Sequence, residues 1–343
     1  MRMWFRPVKG IAFCIVAAFF GSQAMAQVQV KRSFPSAKRI SAFDNTTFCT
    51  AFLSDGSLLT IRDIPIVDLR DVDKIAFNPT GSSLALMRGK KPVSIYSFRD
   101  RNKKLFELKE QRKSKELKGR KNLNFFVPGP VGAELMKDAS KGDIVPVAMC
   151  YGADARNFLV SNSLGEIIVY DTKAYLPQAY IQGKAVATAI TMSPNNYFIA
   201  AGTGKNIDIW NFQTKELRTS LPMPAEVTEL VFSADASQMA VVTADKRLTI
   251  FDTKTWDKVD IFDKIGGTLT SPSFHPDGKY ISVVKDGNAI VIMNLKNSVP
   301  EQTLDENPGG VTGSRFFVNK QTSDVFMLSN RAKGCLLYTS PSP

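Results

Sequence analysis

Few side chains in this sequence could support catalysis. The chain of 343 residues contains one histidine, His275, and four cysteines. A Ser-His-Asp triad therefore has a single candidate base, and a Cys/His zinc cluster is disfavoured. His275 lies in the stretch Phe-His-Pro-Asp-Gly at 274–278, where a partly exposed turn residue is the simpler interpretation. Most hydrolytic chemistry is therefore disfavoured.

Two other patterns resemble functional motifs but lack essential parts. Asp68, Asp71 and Asp73 form an acidic cluster without the glycine and the distal glutamate of a calcium loop. The stretch Gly-Thr-Gly-Lys at 202–205 resembles a phosphate loop, yet it is predicted to lie between two strands with no helix after it. No Gly-x-Ser-x-Gly motif is present. We expect no enzyme activity, no catalytic, cofactor-binding or metal-binding residues, and no cofactor.

An internal repeat of about 40 residues is the main feature of the sequence. One landmark is an apolar residue followed by a turn cluster, at Met192, Phe232 and Phe274, with spacings of 40 and 42 residues. A second landmark is an aromatic residue or methionine followed by Asp or Asn, with spacings of 40, 41 and 42 residues, at Tyr170, Trp210, Phe251 and Met293. Unrelated short strands of a β-sandwich would not keep two landmarks in phase.

Each repeat contains four strand-like segments separated by turn residues. The unit from 226 to 266 shows this best, with strands predicted at 227–232, 239–243, 248–251 and 259–262. The pattern predicts an all-β fold, a β-propeller of four-stranded antiparallel blades. Five blades are complete, at 72–108, 144–183, 184–225, 226–266 and 267–308. Partial blades at both ends indicate a seven-bladed design, in which one end of the chain completes a blade begun at the other.

The repeats resemble those of the WD40 family. The resemblance covers about 71–330 and depends on the aromatic-Asp/Asn pairs and on the Phe-Asn-Pro-Thr-Gly and Phe-His-Pro-Asp-Gly turns. The Gly-His pair typical of WD40 blades is missing, and only Trp210, followed by Asn211, supplies the characteristic tryptophan. The repeat is therefore similar to a divergent, bacterial style. The resemblance implies a propeller that acts as a protein-interaction scaffold.

The first 26 residues have the three parts of a secretory signal peptide: a basic start, an apolar run and Ala-Met-Ala before Gln27. The alternative, a retained membrane anchor, would need roughly 20 apolar residues, and this run is shorter. We expect an exported chain in the periplasm or outside the cell, without a lipid anchor or a transmembrane span. Of the cysteines that remain after cleavage, Cys49 and Cys150 are interpreted as free buried thiols rather than a disulfide.

The mature chain is then divided into a basic N-terminal segment at 27–42, a propeller at 43–333 and a tail at 334–343. The tail has no counterpart in the repeat and resembles translated sequencing adapter, which indicates a non-native end and a truncated C-terminus. Cys335 lies in this tail.

An insertion at 109–143 carries most of the charge. Residues 99–121 contain eleven Lys or Arg and four acids, within a chain of formal net charge +12. The WD40 resemblance implies that this connection lies on the top face of the propeller. We expect the partner-binding residues here, at Arg112, Lys113, Lys115, Lys118, Arg120, Lys121, Phe125 and Phe126. The alternatives without a binding role are a solvated basic loop for the charged residues and packing on the propeller rim for the two phenylalanines.

The sequence predicts a secreted, non-catalytic scaffold of the cell envelope that binds protein partners or acidic envelope components. Nucleic acid is disfavoured, because an exported chain seldom meets it and no aromatic stacking platform accompanies the basic residues. The second hypothesis is the propeller portion of a larger enzyme, such as a peptidase, or of a peptidoglycan-binding protein. Reading the native gene beyond Lys333 would discriminate between the two.

Overall fold

The computed structural model describes residues 29–35, 37–42, 49–53, 58–60, 73–80, 82–97, 104–108, 124–126, 144–245, 247–262, 266–304, 310–318, 325–331 and 334–340. All regular secondary structure in these ranges is β. They include no helix with the length and apolar character needed to cross a bilayer. The predicted signal peptide at 1–26 lies outside them.

The first fourteen strands are β1 (Gln29–Pro35), β2 (Ala37–Ala42), β3 (Cys49–Leu53), β4 (Leu58–Thr60), β5 (Lys74–Phe77), β6 (Ser83–Met87), β7 (Val93–Ser97), β8 (Lys104–Leu108), β9 (Asn124–Phe126), β10 (Pro146–Tyr151), β11 (Asn157–Asn162), β12 (Glu166–Asp171), β13 (Pro177–Gln182) and β14 (Ala189–Met192). The remaining fourteen are β15 (Phe198–Gly202), β16 (Asn206–Asn211), β17 (Leu217–Pro222), β18 (Val227–Phe232), β19 (Gln238–Thr243), β20 (Leu248–Asp252), β21 (Lys258–Ile261), β22 (Leu269–Phe274), β23 (Tyr280–Lys285), β24 (Ala289–Asn294), β25 (Val299–Leu304), β26 (Val311–Val318), β27 (Val325–Arg331) and β28 (Gly334–Ser340).

The described strands form seven sheets, which we number as blades 1 to 7. They are β2-β3-β4, β5-β6-β7-β8, β10-β11-β12-β13 with β9 added, β14-β15-β16-β17, β18-β19-β20-β21, β22-β23-β24-β25, and β26-β27-β28-β1. The first strand of each blade contacts the first strand of the next, and β26 contacts β2. The sheets therefore close a ring with the first strands innermost, and the predicted propeller of four-stranded blades is confirmed.

The ring closes by sharing a blade between the two ends of the chain. Strand β1 pairs antiparallel with β28, from Gln29 opposite Thr339 to Pro35 opposite Gly334, and β28 pairs with β27. Closure of this kind leaves no long edge exposed on the last blade. The basic N-terminal segment thus supplies β1 and β2, and most of the predicted tail is β28. The non-native origin of that tail stays a prediction.

The hydrophobic core lies between neighbouring blades rather than inside one of them. The second and third strands of blades 3 to 6 are buried on both sides, because each sheet has a neighbour on each side. Between blades 4 and 5, for example, Ile207, Ile209, Val241 and Phe251 form one cluster with Trp256. Burial of each such side chain is worth about 1.5–3 kcal/mol. Each sequence repeat therefore corresponds to one sheet and to one interface between neighbouring sheets.

The antiparallel order gives the ring two distinct faces. The bottom face carries the turns between first and second strands and between third and fourth strands. The top face carries the turns between second and third strands and the connections from one blade to the next. The insertion at 109–143 leaves β8 and returns to β10, so it is such a connection between blades 2 and 3.

Candidate interaction surface

The bottom face is built from one turn that repeats at the end of the third strand in blades 3 to 6. The side chain of the last residue of the third strand accepts a hydrogen bond from the backbone amide two residues later, at 2.7–2.9 Å. The accepting residues are Asp171, Asn211, Asp252 and Asn294. The residue four positions on is left-handed in all four blades, at Tyr175, Lys215, Trp256 and Ser298. The second sequence landmark is therefore a turn-capping Asx residue.

A second repeated turn joins the first and second strands on the same face. In each of these turns a side-chain oxygen accepts a hydrogen bond from the backbone amide two residues later, at 2.9–3.1 Å. The accepting residues are Asp154, Asn195, Asp235 and Asp277. The next residue is left-handed in every case. Partial desolvation raises the pKa of Asp235, but hydrogen bonds from Ser233 and Ser237 outweigh it, so this pKa lies below its ordinary value. These contacts give the bottom face a structural role in blades 3 to 6.

The top face is built differently. Its turns obtain left-handed backbone conformations mainly from glycine, at Gly89, Gly165, Gly204 and Gly287. Backbone hydrogen bonds then join these turns to the inter-blade connections: the Gly183 amide donates to the Gly165 carbonyl at 2.9 Å, and the Val227 amide donates to Gly204 at 2.9 Å. The side-chain hydrogen bonds of these turns differ from blade to blade: Asn162 accepts the Leu164 amide at 3.0 Å, and Asp286 accepts the Thr268 amide at 2.7 Å.

The insertion is attached to the outer edge of blade 3. Strand β9 pairs in parallel with β13, with Phe125 opposite Tyr180 and Phe126 opposite Ile181. Two of the predicted partner-binding residues thus have their backbone at the rim. The six basic ones lie outside the described residues, at Arg112, Lys113, Lys115, Lys118, Arg120 and Lys121. Partner binding by all eight stays a prediction.

His275 is a turn residue on the bottom face, as the sequence predicts. Its amide donates to the Tyr280 carbonyl at 2.8 Å, and its carbonyl accepts from the Gly278 amide at 2.9 Å. Its imidazole Nδ1 lies 2.7 Å from Asp277 Oδ1, and the ring packs edge-on against Phe316, 5.1 Å between centroids. The ring is mostly buried, and its surroundings are those of a packing residue.

The other residues considered for chemistry also have structural surroundings. Asp73 accepts a hydrogen bond from the Gly89 amide in a top-face turn, while Asp68 and Asp71 lie outside the described residues. In the parts of the chain that the structure describes, no three His, Cys, Asp or Glu residues lie together as metal ligands would. The stretch 202–205 joins β15 to β16, so the predicted turn without a helix is confirmed.

Cys150 has a free thiol that packs against the core between blades 3 and 4. Burial raises its pKa to about 12, and a hydrogen bond with the Met192 backbone opposes that shift only in part. A thiol with this pKa stays protonated at neutral pH and is a poor nucleophile. Cys49 lies in β3 of blade 1, which is not adjacent to blade 3.

A group of top-face lysines was missed by sequence reasoning. Lys90 and Lys91 are exposed in the turn between β6 and β7, Lys184 in the connection after β13, and Lys205 in the turn between β15 and β16. They fall in three separate segments of the sequence, and none of these segments is a long charge run. The available signal was their position within the repeat, because all four fall in segments that connect to the top face.

Comparison with known proteins gives limited similarity. No family model matches the chain. The chain is 29% identical over 132 residues to the periodic tryptophan protein 2 homolog of Dictyostelium discoideum, a WD-repeat protein. The match covers 32% of this chain and 14% of that relative, so the chain spans a small part of the relative's length. The match and the four-stranded sheets fit a WD40-like propeller. The bacterial style of the repeat stays a prediction.

Proposed function

We propose that this protein is an exported, non-catalytic scaffold of the cell envelope that binds its partners through the top face of the propeller. The observation that carries the proposal is the difference between the two faces. On the bottom face, repeated side chains hold the turns, and a change there disrupts a blade. On the top face, glycine, backbone bonds and side-chain bonds that differ from blade to blade hold the turns, so no single side-chain pattern is required there and the tips are available for contacts.

The basic insertion adds to this surface. It is anchored at β8 of blade 2 and at β9 beside blade 3, and it connects to β10 at the top face. Its charge would attract acidic partners, and screening at physiological salt limits that attraction to roughly 8 Å. The export signal predicted at 1–26 supports an envelope location, where acidic polymers, lipids and proteins are available.

A capture experiment tests this proposal. The intact mature chain and a variant with six insertion residues changed to glutamine, at Arg112, Lys113, Lys115, Lys118, Arg120 and Lys121, are used to capture partners from envelope extract. The insertion variant is expected to lose acidic partners, because the charge that attracts them is removed. Glutamine removes the charge but keeps a polar side chain, and β9 stays in the chain.

A charge-matched variant controls for net charge. Six exposed basic residues of the bottom face are changed to glutamine instead: Arg156, Lys173, Lys254, Lys258, Lys279 and Lys296. This control is expected to keep the partners. Identical capture by the intact chain and the insertion variant would show that the assigned surface is wrong. Hydrolysis of a peptide or glycan by the purified chain would overturn the non-catalytic assignment.

A further inference from the structure

The charges of the top face are segregated around the ring. In blades 2 to 4 the described top-face segments contain Lys74, Arg88, Lys90, Lys91, Lys184 and Lys205, against the carboxylates of Asp73 and Glu166. Of these two, Asp73 accepts the Gly89 amide, and Glu166 is buried and accepts a hydrogen bond from Asn162. Among the described residues, the solvent-facing charge of blades 2 to 4 is therefore positive.

The same face has a different charge balance in blades 5 and 6. Its described segments in blades 5 and 6 contain Glu226, Asp245 and Asp286, and the cations Arg247 and Lys285. The Arg247 guanidinium lies 3.5 Å from Asp245, so these two charges offset each other. Among the described residues, blades 2 to 4 therefore form a basic sector of the top face.

Lys74 links the inner ends of this sector. Its ammonium donates hydrogen bonds to the Val147 carbonyl at 2.9 Å and to the Thr188 carbonyl at 3.2 Å. These carbonyls belong to β10 of blade 3 and to the residue before β14 of blade 4. One positive charge therefore lies where three successive blades meet. We name the exposed lysines around it, Lys90, Lys91, Lys184 and Lys205, the basic arc.

The shape and composition of this surface favour a broad anionic partner. Large exposed hydrophobic side chains among the described residues lie on outer strands or bottom turns, at Leu105, Phe106, Leu176, Tyr197, Val259 and Val299. None of these described side chains is at a top turn. Tight protein interfaces depend on buried aromatic and arginine anchors. Lysines at the tips of short turns instead suit a surface with many mobile negative charges.

We propose that the basic arc binds the anionic headgroups of a membrane surface, so that the propeller lies with blades 2 to 4 facing the lipid. This inference rests on the proposed function, because it specifies the partner of the same face. Each lysine that reaches such a surface strengthens binding by about fivefold. The attraction weakens with salt, because mobile ions screen the headgroup charge.

The test measures binding of the mature chain to vesicles of three parts phosphatidylcholine and one part phosphatidylglycerol. The arc variant carries Lys90→Gln, Lys91→Gln, Lys184→Gln and Lys205→Gln, and the insertion stays intact. Its partition coefficient is expected to fall by at least about tenfold. The charge-matched control carries Lys173→Gln, Lys254→Gln, Lys279→Gln and Lys296→Gln on the bottom face, and it is expected to stay within about twofold of the intact chain.

Several outcomes would overturn the inference. They are equal losses in both variants, equal binding to vesicles of phosphatidylcholine alone, and binding to soluble polyphosphate or an acidic protein without binding to vesicles. Amide exchange gives an independent check, because the top turns at 89–91 and 203–205 should be protected by vesicles while the bottom turns are not. The vesicle test could fail while the capture experiment still shows that partners depend on the insertion. That result would leave the scaffold proposal standing and exclude the lipid partner.

Discussion

The two faces of the ring differ in how regularly their tight turns use the same side-chain hydrogen bonds. On the bottom face, an Asp or Asn side chain accepts backbone amides, and non-glycine residues such as Trp256 and Tyr175 adopt left-handed conformations. On the top face, Gly165 and Gly204 adopt those conformations, and the side-chain hydrogen bonds of the turns differ between blades: Asn162 accepts the Leu164 amide at 3.0 Å in the Gly165 turn, whereas Thr203 donates to Asp208 at 3.1 Å beside Gly204. A turn that depends on side chains must repeat them in every blade. A turn that depends on glycine leaves its neighbours free to diverge.

This difference explains where the sequence repeat is visible and where it fades. Both sequence landmarks lead into bottom turns, and they recur because the same hydrogen bonds recur. The lysines of the basic arc follow no period, because nothing in the top turns requires a lysine. Variation is therefore concentrated on the face that we assign to binding.

The largest expected effect comes from the bottom face. Trp256 is left-handed, 8% exposed and packed edge-on against Phe198 at 5.1 Å between centroids. Trp256→Ala should lower the free energy of unfolding by about 3–5 kcal/mol, because it leaves a cavity between blades 4 and 5. Denaturant unfolding followed by circular dichroism measures this.

Two further variants sharpen that result. Lys205→Ala on the top face should change stability by less than about 0.5 kcal/mol. Trp256→Phe keeps the ring contact and removes an indole Nε1 that finds no hydrogen-bond partner among the described residues, so it should cost far less than the alanine change. A small effect of Trp256→Ala would mean that the bottom turn is not structural.

The next effect concerns the Asx cap alone. Asp252 accepts hydrogen bonds from the amides of Lys254 at 2.7 Å and Thr255 at 3.1 Å. Asp252→Ala should destabilise the protein by about 1 kcal/mol, as loss of a helix cap does. Asp252→Asn keeps an acceptor and should restore most of that loss in thermal unfolding. If alanine and asparagine were equally stable, the side-chain account of the bottom turn would be incorrect.

Glycine on the top face gives the reciprocal prediction. Gly204 has a φ of +66°, and a Cβ added there would meet nothing within 4 Å. Gly204→Ala should therefore cost about 1 kcal/mol through backbone conformation alone, without a clash. Gly204→Asn should cost less, because asparagine tolerates the left-handed region. Equal stability of all three proteins in denaturant titrations would contradict the role given to glycine.

The smallest expected effect is a dependence on pH. Since the pKa of Asp235 is below its ordinary value of 3.8, the folded state favours the ionised carboxylate. Its contribution to stability is complete above that ordinary value and is lost as the pH falls through the folded-state pKa. The stability difference between the intact protein and Asp235→Asn should therefore narrow below about pH 4. A constant difference from pH 3 to pH 7 would exclude this contribution.

Much of the fold could be predicted because the signals are local. The turns at Asp252 and Asp235 involve residues two to four positions apart, so their chemistry is visible in a short stretch of sequence. The alternation within β18 and the recurrence of Phe232 and Phe274 then give the strand order in each blade. The candidate surface was predictable only in part. Its charged residues are far apart in the sequence and are brought to one face by the ring.

The sequence by itself determined the repeating unit, its four strands and its two kinds of turn, since each depends on contacts within about forty residues. Only the tertiary structure decided that β1 completes the blade of β28, that β9 adds to the edge of β13, and that Lys90 and Lys205 share one face. These relations join residues that are distant in the chain. They follow from the closure of seven sheets into a ring, whose geometry brings the turns of successive blades to a common surface.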